Sequence, residues 1–249
     1  IWRGVEFISM LKLHLKLSSR GVSLKSLFIS LSGSSRCQSA TLNASYPQMP
    51  AMVSASSASS ISSSDISSEE EIINLVDQLP TLDGCVHSAG ILGLTPIQAI
   101  TKEKIDHIER INLHAPILLT KHLIKKKKLD KGSSVVFISS AAGIYRVSMA
   151  NALYAVTKNG LDAFMRSAAL ELATKQIRFN SVNPAIIETE AFSNIPINEE
   201  QKKANLEQYP LKRYGTPEEV AYATIYLLSE ASAWTTGTEI KLDGGLTLS

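Results

Sequence analysis

The stretch SSVVFISSAAGIYRVSMANALYAVTK, residues 133–158, decides the fold. Its first part, SSVVFISSAAG (133–143), is a short apolar run bounded by serine and glycine, and it reads as a strand buried on both faces. Its second part opens a helix expected over about 151–175. The same alternation recurs on either side. Ser68 and Glu71 form a capping-box pair ahead of EEEIINLVDQL, which Pro80 ends. LDGCVHSAG (82–90) reads as a buried strand running into a small-residue turn, and a long helix follows over about 102–127. Downstream, IRFNSVNPA (177–185) is a third strand, Thr216, Pro217 and Glu219 open another helix, and TEIKLDGG (238–245) is a last strand. Strands alternating with helices of this length predict a doubly wound α/β fold, a parallel sheet with helices on both faces. In such sheets ligands bind at the carboxyl ends of the strands.

The 249 residues suit one such domain, and 44% hydrophobic residues suffice for a sizeable core. A net charge of +2, from 25 basic and 23 acidic residues, gives no overall field for nucleic acid or an anionic membrane. No apolar run reaches the ~20 residues that cross a bilayer. Cys37 and Cys85 do not make a framework of bridges and are expected as reduced thiols. Residues 1–35 are basic, with Glu6 the one acid, but no clean apolar core and cleavage pattern follow, so a cytoplasmic location is expected. The lysine run 125–128 is expected to end the long helix, where cations favour its dipole and stay solvated.

The amino-terminal quarter is different. Residues 54–68, SASSASSISSSDISS, hold ten serines in fifteen positions, a tract expected to stay flexible rather than form a buried strand. The best strand candidate there, LFISLSGSS (27–35), is weak, so the first two strands are expected to be distorted or absent.

Tyr154 and Lys158 are four residues apart on a helix and therefore share a face. A tyrosine titrates near 10, and a neighbouring ammonium favours its phenolate, which suits it to exchange a proton with a carbonyl or alcohol. Ser139 and Ser140 end the buried strand, and Ser140 precedes Tyr154 by 14 residues. A hydroxyl there can hold a substrate oxygen, or merely cap the next turn. Asn112 lies inside the long helix, where asparagine costs helix propensity.

From Asp65 onward, over about three quarters of its length, the chain resembles the short-chain dehydrogenases/reductases, with motifs in the family's order and a C-terminal segment like that of bacterial 3-oxoacyl reductases. LDGCVHSAG resembles the family strand ending Asn-Asn-Ala-Gly, ERINLHAP carries its helix asparagine, VVFISSAAG its serine and YAVTK its Tyr-x-x-x-Lys. IRFNSVNPAIIET resembles its Arg-x-Asn-x-Val-x-Pro-Gly segment, with Ala185 where glycine is usual. The resemblance implies one Rossmann-like domain over 1–249, with 1–64 an atypical cofactor half, and an NAD- or NADP-dependent oxidoreductase acting on a carbonyl or secondary alcohol. It implies catalytic roles for Asn112 (holding a relay water), Ser140 (orienting the carbonyl), Tyr154 (acid/base) and Lys158 (ribose binding and lowering the tyrosine pKa). Cofactor contacts are implied for Gly21, Asp65, Ser88, Ala89, Gly90, Tyr154, Lys158, Pro184, Ile187 and Thr189. Residues 190–210 would form a substrate lid. No metal is implied, and a homotetramer or homodimer is expected.

The resemblance fails where the family carries Thr-Gly-x-x-x-Gly-x-Gly. The best register is KLSSRGVS (16–23), in which Gly21 survives and Leu17 and Ser23 replace the other glycines. A Cβ at either position crowds a phosphate or strains the turn. Arg20 or Arg36 could meet a 2′-phosphate. A shifted reading frame over about residues 5–64, true divergence and loss of cofactor binding are the open explanations. The last makes a catalytically inactive binding or scaffold protein the alternative function, and an epimerase or dehalogenase on the same scaffold is a third.

Overall fold

Seven strands form one sheet in the order β3-β2-β1-β4-β5-β6-β7 in a computed structural model that describes residues 23–31, 36–45, 58–189 and 198–248. The strands are β1 (Ser23–Leu31), β2 (Arg36–Ser45), β3 (Ala58–Asp65), β4 (Leu82–His87), β5 (Leu129–Ile138), β6 (Arg178–Pro184) and β7 (Glu239–Leu242). The helices are α1 (Glu69–Gln78), α2 (Lys102–Glu109), α3 (Ala115–Lys125), α4 (Ala152–Leu172), α5 (Glu199–Glu207) and α6 (Pro217–Leu228).

From β1 through β4, β5 and β6 to β7 every neighbouring pair is parallel. Each link among the last four strands is a helical crossover, so helices cover both faces. The alternation along the strands assigns the faces. Cys85, Val135, Phe137 and Phe179 pack with the buried sides of α1 to α4, while Val86, Val136, Ile138 and Val182 pack with Val220, Leu227 and Leu228 of α6. This is why β5 ends in the apolar run Val135–Ile138, while β6, buried as deeply, sets Asn180, Ser181 and Asn183 among its apolar residues.

The caps read in the sequence form locally. The Ser68 side chain accepts from the Glu71 amide, and Thr216 with Glu219 makes a full capping box around Pro217. The lysine run does more than sit in solvent: Lys126 pairs with Asp77, and the Lys128 ammonium donates to the Leu79 carbonyl, tying the end of α3 to the end of α1.

The departure lies at the other edge. β2 runs antiparallel to β1 and β3 antiparallel to β2, so β1–β2–β3 is a meander with four residues between β1 and β2. The serine tract expected to stay flexible contributes β3. It does so at the edge of the sheet, where a strand needs one partner and no second apolar cover. The first strand begins at Ser23, four residues earlier than read from the sequence.

His87, at the end of β4, stacks on Phe137 with ring centroids 4.7 Å apart and lies 3.1 Å from the Thr120 hydroxyl. Burial drives its pKa down from 6.5 to about 3, so it is neutral in the fold. A group depressed in this way binds its proton in the unfolded chain first, so stability is lost as pH falls from 6.5 toward 3. Replacing it with an untitratable residue, His87→Asn, is expected to flatten the slope of unfolding free energy in that window, measured by urea unfolding at stepped pH. An unchanged slope would contradict the burial argument.

Candidate active site

The carboxyl ends of β4, β5 and β6 open into one cleft lined by Ser88, Gly90, Ile138, Ser139, Ser140, Tyr154, Lys158, Pro184, Ala185, Pro217 and Val220. Of the residues singled out in the sequence, Ser88, Gly90, Ser140, Tyr154, Lys158 and Pro184 converge here, while Asn112 lies beneath Gly90 and is fully buried. Ala89 is half-buried beside them. The buried Ile187 belongs to the apolar cluster under α6, where it forms an isolated bridge with Gly215, and Thr189 is also buried. Asp65 ends β3, three strands away, where its carboxylate accepts from the Ser67 amide at 2.9 Å and shapes the turn into α1. Gly21, which precedes β1 in the chain, lies outside the described residues, and so do residues 190–197 of the expected lid. Of the remainder, Glu199–Glu207 forms α5, capped by Asn198 and Gln201 and without buried residues, whereas Tyr209 beyond it is buried against Tyr214 and Leu246.

Asn112 organises the floor. Its Oδ1 accepts from the Ile91 amide at 2.8 Å, and its Nδ2 donates to the Ile91 carbonyl at 2.9 Å and to Thr157 Oγ1 at 3.2 Å. One side chain thereby joins the exit of β4 to the long helix and to α4. The long helix widens at this point into a π-turn, Arg110–His114, between α2 and α3. Such turns recur at functional sites. Pro116 has no N–H, so the Asn112 carbonyl lacks the donor that an α-helix would supply four residues on.

Tyr154 and Lys158, both nearly buried, project from the first turns of α4. The Lys158 ammonium donates to the Ile138 carbonyl at 2.8 Å and stands 5.8 Å from the centre of the Tyr154 ring. Burial pulls the Lys158 pKa down to about 8, opposed by the charge of Asp162 one turn on. Burial likewise pushes Tyr154 up to about 12, opposed by its hydrogen bond with Ser140. The expectation that the ammonium lowers the tyrosine pKa is therefore not met in this geometry. The ammonium is spent on a backbone carbonyl, and desolvation dominates both groups. The Ser140 Oγ accepts from the Ala142 amide at 3.1 Å, which caps the turn, and it also meets the tyrosine.

Sequence reasoning missed three contributors. Thr157 links Asn112 to the Tyr154 carbonyl, to which it donates at 2.8 Å. Pro217, read as a capping residue, walls the cleft. Ser139 donates to the Lys158 carbonyl at 3.0 Å and to the buried Asp162 at 2.9 Å, bracing α4 from behind. The spacing Thr157–Lys158–Asp162 within α4 was a readable signal for a polar inner face.

The nicotinamide–ribose end of a dinucleotide fits this cleft. Gly90 is the cradle: a Cβ there would stand 3.1 Å from Lys158 Nζ and 3.5 Å from Asn112 Oδ1, filling the space over the floor. Among the described residues no place is made for the phosphates of the adenosine end. Its phosphates need a helix N-terminus directly after the first strand, and the four residues between β1 and the reversed β2 are too few for a helical crossover.

Removing the Asn112 side chain strands two buried backbone groups at Ile91. Asn112→Ala is expected to cost about 2–4 kcal/mol of stability and to lose hydrogen-exchange protection at the Ile91 amide ahead of the sheet core. Full protection there would contradict the tether.

Comparison with known proteins agrees with this geometry. A family model described as enoyl-(acyl carrier protein) reductase matches residues 40–247. The 3-oxoacyl-[acyl-carrier-protein] reductase of Rickettsia felis is 34% identical over 182 residues, 73% of this chain and 74% of the relative. The L-xylulose reductase of Caenorhabditis elegans is 34% identical over 185 residues, 73% of this chain and 72% of the relative. A short chain dehydrogenase family protein from Francisella tularensis superposes with a TM-score of 0.69 at 30% identity, covering 75% of this chain and 80% of that one. A 4-hydroxyisoleucine dehydrogenase mutant complexed with NADH and succinate does so with a TM-score of 0.69 at 27% identity, covering 74% and 78%. With the tyrosine and lysine of α4 beside the serine of β5, and oxidoreductases on every side of the comparison, this chain belongs to the short-chain dehydrogenase/reductase family.

Proposed function

We propose that the chain is an NAD(P)-dependent oxidoreductase that moves a hydride between a nicotinamide and a carbonyl or secondary alcohol, with Tyr154 as proton donor and acceptor. The observation that carries this reading is the convergence of Ser140, Tyr154 and Lys158 on one cleft beside Gly90. A bound nicotinamide supplies or takes up the hydride; the protein supplies placement and protons.

In the direction of reduction, the Ser140 hydroxyl holds and polarises the substrate carbonyl. Tyr154, with its pKa near 12, carries its proton across the neutral range and gives it from Oη to the carbonyl oxygen. Lys158, with its pKa lowered to about 8, is still largely charged at neutral pH and lines the cleft where the nicotinamide ribose would be held. The Asn112 side chain is committed to Ile91 and Thr157, so the relay-water role passes to its carbonyl. The substrates in the relatives' names, an acyl thioester and a sugar, share a carbonyl on a small molecule, and that is the substrate class inferred here. Apolar side chains left exposed at Met149, Leu170 and Trp234 support a homodimer or homotetramer, and a cytoplasmic location is part of the same reading. Among the described residues no helix is long and apolar enough to cross a membrane.

A second reading, a catalytically inactive binding or scaffold protein that keeps the fold, is favoured by the reversal of β2. The two separate on one variant. Tyr154→Phe is expected to cut turnover by about 10²–10⁴-fold while leaving nicotinamide affinity within a few-fold. Turnover equal to that of the unaltered protein would remove Tyr154 from the chemistry, and no turnover in the unaltered protein would favour the scaffold.

A further inference from the structure

The cleft presents half of a dinucleotide site, and the other half is replaced by a strand meander. Ser88, Gly90, Tyr154 and Lys158 surround the place of a nicotinamide ribose. β1 passes after four residues into β2, with Leu31 paired to Cys37 at the cleft rim and Ser23 paired to Ser45 at the opposite rim. Two consequences follow. Among the described residues no helix begins directly after β1 to receive a diphosphate. The carboxyl end of β2, which in a doubly wound sheet carries the residue that reads the adenosine ribose, lies on the rim away from Tyr154.

We propose that the cofactor of this chain is a nicotinamide mononucleotide: the cleft takes the nicotinamide ribotide, and an adenosine phosphate half, when present, contributes no affinity. This rests on the nicotinamide reading of the cleft and narrows it. If bound there, a reduced mononucleotide would supply the hydride for the carbonyl carbon and be left oxidised, and Tyr154 would supply the proton for the oxygen, so the balance of the proposed reaction is unchanged.

The test is a fluorescence titration of the full chain with NADH, NADPH and reduced nicotinamide mononucleotide in parallel, extended to millimolar concentrations, followed by turnover of a small ketone with each. The three dissociation constants are expected to agree within about threefold, and turnover with the mononucleotide is expected to match that with NADH. A dissociation constant for NADH or NADPH lower by about tenfold or more, equal to about 1.4 kcal/mol from the adenosine half, would overturn the proposal and leave the oxidoreductase reading standing. Absence of saturable binding by all three would overturn both. Gly90→Val, which fills the ribose cradle, is expected to weaken the three ligands by one common factor. Binding left intact in that variant would place them outside the cleft and contradict both readings.

Discussion

The architecture of the site depends on one amide group. Asn112 meets both backbone groups of Ile91 with its donor and its acceptor, and spends a further proton on Thr157. That grip fixes three independent pieces of chain against each other: the turn leaving β4, the π-turn of the long helix and the first turns of α4. Gly90, Thr157 and Lys158 are neighbours of these contacts in sequence or in space, so the width of the cradle is set by a single buried side chain. Buried amides left unpaired cost more than the bonds they would make, which is why such a constraint holds its geometry against thermal motion and supports a preorganised site.

The electrostatics are built on the same floor. Lys158 is drawn inside by the Ile138 carbonyl and braced from behind by Ser139 and Asp162. Its charge is costly to bury, and its pKa moves toward neutrality as a result. Tyr154 moves the opposite way, since burial favours its neutral form. The pair is thus an acid that keeps its proton next to a cation poised near physiological pH, two groups whose surroundings push their titrations apart. The core behind them follows the ordinary rule that buried groups are neutral or paired: His87 is stacked and uncharged, and Asp162 is held by Ser139 and Asn183.

From Glu69 to Leu242 the architecture was legible, because strands buried on both faces are apolar runs and the helices between them carry their own caps and breakers. The meander was not legible. A serine-rich segment such as ASSISSSD shows no apolar alternation, and a reversal after four residues carries no signature distinct from the failing glycine motif. In the site, the residue types and their order pointed to Tyr154, Lys158 and Ser140. The direction of the tyrosine shift did not follow, because helical spacing places an ammonium near a phenol without saying which oxygen it bonds. Asn112 was read as a cost to its helix and, by resemblance, as the holder of a relay water; its pair of hydrogen bonds to Ile91, a contact spanning 21 residues, is tertiary and invisible to local periodicity.

The account turns on a buried ammonium held next to a buried phenol. The most direct measurement is a titration of the Lys158 ζ-nitrogen by NMR in the isotopically labelled protein, assigned by comparison with Lys158→Met. The account predicts a midpoint near 8, below the 10.5 of a free lysine. A midpoint at or above 10.5 would mean a solvated side chain, and the proposed proton chemistry would lose its foundation.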